Sequence, residues 1–96
     1  MTSKNDIPED HSQSVIEKIR AVKRAHEATL LSKANVVGVG IGLARRRSTW
    51  TQEMALIVLV RQKVPISQLD PEDIIPRILD GVPVDVQEVG NVKAQD

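Results

Sequence analysis

From Asn35 to Ala44 the chain reads NVVGVGIGLA, and its pattern repeats every second residue. Val37, Val39, Ile41 and Leu43 fall on one side. Val36, Gly38, Gly40, Gly42 and Ala44 fall on the other. A repeat of two is the geometry of a strand and is incompatible with the 3.6-residue turn of a helix. The stretch Glu53–Arg61, EMALIVLVR, is apolar on both sides from Met54 to Val60. Such a run marks a strand covered on both faces. Arg45 to Gln52 is a polar connection short enough to join the two as a β-hairpin.

Alternating glycines raise a second possibility, a loop that cradles phosphate. A dinucleotide fingerprint needs GxGxxG between a strand and a helix. Gly38 and Gly40 supply the first two glycines, but the third position is Leu43, and counting from Gly40 it is Arg45. The residues that follow form a strand pattern and not a helix. There is also no Walker-type lysine followed by serine or threonine. The glycines therefore read as a thin strand face that another backbone can approach closely, and no cofactor is expected.

Ahead of the hairpin, Val15, Ile19, Val22, His26 and Leu30 recur at helical steps. Ser14 with Glu17 fits a capping box at the helix start. Residues 1–12 are polar, carry Pro8, and are expected to form a flexible tail. After the hairpin, Asp70–Pro71 resembles a helix start, and a short, irregular helix is expected to Leu79, with Gly81 as its stop. Val82, Val84 and Val86 alternate with Pro83, Asp85 and Gln87, which predicts a third strand. The expected fold is α+β: a small two-layer sandwich of N-terminal helix, β-hairpin, short helix and third strand. One domain spans residues 13–92, with residues 93–96 frayed.

Composition narrows the chemistry. There is no cysteine, so thiolate metal sites and cysteine nucleophiles are excluded. The two histidines, His11 and His26, lack the spacing of a local metal pair, and no metal site is expected. Ser48, Thr49 and Thr51 have no histidine placed to activate them, and Asp70, Glu72 and Asp73 are explained by a helix N-terminus. No catalytic set is visible, and the chain reads as a non-enzyme. The polar N-terminus lacks a signal-peptide core, and the run Met54–Val60 is too short to span a bilayer. A cytoplasmic location without membrane contact is expected.

Formal net charge is zero, yet its distribution is uneven: residues 1–63 hold eleven Lys/Arg and six Asp/Glu, whereas residues 64–96 hold two and seven. The triplet Arg45, Arg46 and Arg47 beside Trp50 is the feature most suited to contact, with phosphate or with protein. Trp50 is the sole aromatic residue, so a base-stacking platform is disfavoured and protein contact is preferred.

Four segments together resemble a known module. They are NVVGVGIG (35–42), EMALIVLVRQKVP (53–65), LDPEDIIP (69–76) and DGVPVDVQEVG (80–90). In this order they are similar to the N-terminal region of bacterial trypsin-like serine peptidase homologues. In that family a peptidase domain follows the module. No residues matching the peptidase His, Asp and Ser motifs occur here, so the resemblance implies an accessory domain standing alone or a truncation, and it transfers no peptidase activity. The loop ARRRSTWTQ also departs from the family's glycine-containing loop. The function expected is a non-enzymatic protein-interaction or accessory module that docks on a partner or on itself. The alternatives are a pro-domain-like regulator of a separate peptidase and nucleic-acid binding through Arg45–Trp50. The interaction residues expected are Arg45, Arg46, Arg47, Trp50, Gly38, Gly40 and Gly42.

Overall fold

The computed structural model describes the backbone of residues 8–47 and 49–89, with helix side chains described from Gln13 onward. One long helix, α1 (Pro8–Leu31), precedes four strands: β1 (Val36–Arg46), β2 (Thr49–Val60), β3 (Ile78–Leu79) and β4 (Val82–Glu88). The strands form one sheet in the order β1-β2-β4-β3. β1 and β2 are antiparallel, β2 and β4 parallel, and β3 and β4 antiparallel. The α+β architecture, an N-terminal helix on a sheet, agrees with the sequence pattern.

The helix begins at Pro8, ahead of the start expected at Ser14. Proline suits a first helical position because its missing N–H has no partner there anyway. Residues 8–12, expected in the tail, are thus helical, while residues 1–7 and the expected frayed end at 93–96 lie outside the described residues. The apolar stripe performs as its spacing predicts. Ile19, Val22 and Leu30 are buried against Leu56, Val58 and Val60 of β2 and Val82 of β4. Val39 and Ile41 of β1, with Val84 and Val86 of β4, extend that layer. Each fully buried aliphatic side chain contributes about 1.5–3 kcal/mol, so this one interface dominates the stability of so small a chain.

Strand register explains the two faces. On the helix side, Ile41, Leu56 and Val84 form one row across the sheet, and Val39, Val58 and Val86 the next. On the opposite side, the matching rows are Gly40–Ile57–Asp85 and Gly38–Leu59–Gln87. A register shift between Val36 and Gly38 breaks the alternation at its start. Val36 therefore joins the helix-side core although parity assigns it to the glycine side, and Val37 is left exposed. The extra residue of a bulge has this effect, because it reverses the direction of the side chains that precede it.

Three further elements differ from the pattern. The hairpin is longer than expected: β1 runs to Arg46 and β2 begins at Thr49, so most of the expected polar connection is strand. The short helix expected from Asp70 to Leu79 is absent. In its place are two 3-10 turns, Ile66–Gln68 and Pro71–Asp73, followed by the two-residue β3. Pro76 supplies no N–H and disfavours helical backbone at Ile75, which prevents propagation beyond one turn. Gly81 is not a helix stop. Asp80 (φ 51°) and Gly81 (φ 83°) form the two-residue turn that joins β3 to β4, and two positive φ values mark the type I′ turn favoured in hairpins.

The segment between β2 and β4 crosses on the helix side. Ile75 and Leu79 pack against the core there. The Ala34 amide donates to Asp73 Oδ1 at 3.0 Å, and Lys33 Nζ donates to the Glu72 carbonyl. These bonds fasten the crossover to the end of α1. His26, on the apolar stripe, is half-buried and pairs with Asp80 Oδ2 at 2.8 Å.

Candidate functional site

The seven residues singled out by the sequence lie along one strand and its hairpin end. Gly38, Gly40 and Gly42 occupy β1 on the sheet face opposite α1. The helix therefore does not pack on them. None has a left-handed backbone, and a Cβ at Gly40 would meet nothing within 4 Å. A Cβ at Gly38 would sit 3.4 Å from Leu59 Cδ1, and one at Gly42 would sit 3.5 Å from Ile57 Cγ1. Neither backbone conformation nor crowding within the folded chain requires glycine at position 40. The result is a shallow trough along β1, floored by backbone.

Polar side chains close the rest of this face. The Arg45 amide donates to Asp85 Oδ2 at 2.9 Å, and Gln87 Nε2 donates to the Leu43 carbonyl at 3.3 Å and to Asp85 Oδ2 at 2.9 Å. Asp85 and Gln87 stand on β4, and β2 separates β4 from β1. The two side chains thus strap the end of β1 across β2. Ala44 and Ala55 are fully buried under the straps with Ile57. Alanine suits both positions because a larger side chain would hold Asp85 and Gln87 away from the end of β1. A register shift between Leu43 and Arg45 falls at the strapped end. Thr51 Oγ1 donates to the Ala44 carbonyl at 2.9 Å, satisfying backbone that the irregular ladder leaves unpaired.

The cationic triplet divides into separate roles. Arg45 pairs in register with Trp50, and its guanidinium carbon lies 5.2 Å from the ring centroid. That is cation–π range. Arg45 Nε is buried and has no hydrogen-bond partner among the described residues. Arg46 forms an ion pair with Glu53. Arg47 (φ 55°) is exposed at the end of the hairpin. Two of the three cations are therefore engaged inside the chain. Trp50 remains 60% exposed despite the arginine above it. Ser48 lies outside the described residues. An open cleft of about 550 Å³ beside the triplet is lined by Arg45, Arg47, Lys63, Asp85, Gln87 and Glu88, so its charges are mixed.

The feature that sequence reasoning missed is the position of β1. It is an outer strand of the sheet, and among the described residues no strand pairs with its other side. From Gly38 to Leu43 its register with β2 is unbroken and it carries neither charge nor proline. Alternate residues of such a strand turn both N–H and C=O away from the partner, so half of this run offers unpaired backbone groups at the edge. The opposite side of the sheet ends differently: β3 is two residues long and pairs with Val82 and Pro83.

Above β1, on the helix side, a hollow is lined by Arg20, Lys23, Arg24, Glu27 and Ile41. Lys23 Nζ pairs with Glu27 Oε1 at 3.1 Å. Arg20 and Arg24 are exposed and have no ion-pair partner among the described residues. No periodicity along the helix could place these two cations beside a strand edge, because the placement depends on how α1 crosses the sheet.

Among the described residues no group of three or more His, Asp and Glu side chains is arranged to hold a metal ion. No described helix is long and apolar enough to cross a membrane. No family model matches this chain, and no curated protein matches it.

Proposed function

We propose that this domain is a non-enzymatic interaction module that binds a protein segment by strand addition along β1. The observation that carries this reading is the uncharged, proline-free run Gly38–Leu43 at a sheet edge that no strand among the described residues covers. Natural proteins usually blunt such an edge with charge, proline or a covering element, because it is a ready template for another strand. In strand addition the backbone bonds supply affinity and alternate side chains supply specificity. The motif order 35–90 supports an accessory role of the kind that the leader module holds in trypsin-like peptidase homologues, in a cytoplasmic setting. Engagement of Arg45 and Arg46 inside the chain favours this reading over phosphate contact by the triplet.

The test is selection of extended peptides from a random library on the immobilised domain, followed by hydrogen exchange of each complex. Strand addition slows exchange at alternate amides between Gly38 and Leu43. A library that yields no binder, or binders that protect only other segments, refutes the proposal.

A further inference from the structure

The structure assigns a chemistry to the strand that β1 receives: an extended segment that alternates large apolar residues with acidic ones, supplied by a different protein. This rests on the strand-addition reading and goes beyond it in naming the occupant.

Two independent surroundings of the edge lead to this. A strand added beside β1 continues the sheet, so its side chains alternate between the two faces. Those on the outer face lie next to Gly38, Gly40 and Gly42. The space above Gly40 is open to at least 4 Å, and Gly42 and Gly38 present only ordinary contacts with Ile57 and Leu59. A bulky side chain on the incoming strand can lean over this trough and rest on Ile57 and Leu59, much as an aromatic residue covers a glycine on a neighbouring strand. Side chains on the other face emerge under the flank of α1. There they meet the hollow lined by Arg20, Arg24 and Ile41, in which Lys23 and Glu27 already neutralise one another. Two cations without partners among the described residues select carboxylates at those positions.

The same two cations disfavour a second copy of this chain as the occupant. Antiparallel pairing of β1 with its own copy requires a two-fold axis perpendicular to the sheet. Both helices then lie on one face, and Arg20 and Arg24 of each copy approach a common seam. Like charges so placed repel, whereas an acidic strand removes the charge.

The test uses the whole chain and two synthetic peptides of equal length, each with phenylalanine at alternate positions. One carries glutamate at the intervening positions and the other carries lysine. Labelled-peptide anisotropy is expected to show at least tenfold tighter binding of the glutamate peptide at low salt, with the gap narrowing as salt rises. Replacing both exposed arginines, Arg20→Glu with Arg24→Glu, is expected to reverse the preference. Gly40→Val keeps the fold, since its Cβ has room, and is expected to weaken the glutamate peptide at least tenfold by filling the trough. Equal affinity for the two peptides, with protection of β1 amides, overturns the acidic assignment while leaving strand addition standing. Glutamate-peptide binding that is indifferent to Gly40→Val overturns the apolar assignment. Protection that falls outside β1 for both peptides defeats the underlying reading of the edge.

Discussion

Gly40→Val should stabilise the isolated domain, a result opposite to the usual expectation for a patterned glycine. The backbone at position 40 is not left-handed and nothing lies within 4 Å of the added Cβ, so the substitution meets no steric penalty. Glycine in a strand costs about 0.5–1 kcal/mol relative to alanine through its extra freedom in the unfolded chain. Gly40 also stands opposite Ile57, and a β-branched pair across two strands contributes about 0.2–1 kcal/mol. The sum is a gain of roughly 0.7–2 kcal/mol. In a domain of this size that raises Tm by about 4–8 °C for each kcal/mol. Urea titration gives the same quantity as an increase in midpoint at constant slope. Gly38→Val is the internal control. Its Cβ would already be in van der Waals contact with Leu59 Cδ1 at 3.4 Å, which leaves less open space for the two methyl groups than at position 40, so the gain should be smaller. A loss above about 1 kcal/mol for Gly40→Val would refute the reasoning, because it would require something to occupy the trough in the folded protein, such as a second chain. In that event the loss should grow with protein concentration, which separates an occupied trough from an error in the packing argument.

The other predictions concern the turn, the straps and the space beneath them. Gly81→Ala should cost about 1–3 kcal/mol by chemical denaturation, because the residue holds φ 83°. Its Cβ would also press on Lys18 Nζ at 3.3 Å. Asp85→Ala removes the acceptor of both the Arg45 amide and Gln87 Nε2 and should cost about 1–3 kcal/mol. Faster amide exchange at Arg45 would locate the effect in the hairpin end. Ala55→Leu adds volume at a fully buried site under the straps and should destabilise by about 1–3 kcal/mol. A neutral result in thermal unfolding would mean that the side chains of β4 do not close over Ala55 as described. His26→Ala should change stability by less than about 1 kcal/mol, since its hydrogen bond with Asp80 is exposed.

Periodicity revealed what depends on neighbours in the chain. The stripe Val15–Leu30 gave the helix face, the alternation at 36–44 gave β1, and the apolar run at 54–60 gave the central strand. Each is a local rule acting on consecutive residues. The failures have a common origin. Asp70–Pro71 has the chemistry of a helix start, but Pro76 and the need to cross from β2 to β4 allow only two short turns. Asp80–Gly81 has the signature of a hairpin turn, yet the strand before it is only two residues long, too short for alternation to declare itself. The parallel pairing of β2 with β4 is likewise invisible in either strand alone.

The candidate site shows the same division more sharply. The alternating glycines were legible as a thin strand face, but whether a helix or solvent lay beyond them was not. That was settled by the pairing of Val39 with Val58 and of Ile41 with Leu56, which commits both to the helix side and leaves the glycines opposite. A shift of one residue exchanges the two faces of a strand, so the identity of the outer face follows from register and not from composition. The free edge depends on sheet order, and the cations above it depend on the crossing of α1 over β1. Features of this type arise only when distant segments meet. An uncharged glycine strand could be a buried central strand as easily as an outer one. Its position at the edge, beneath Arg20 and Arg24, turns the same residues from a packing device into a surface with room for bulky side chains on one face and a demand for negative charge on the other.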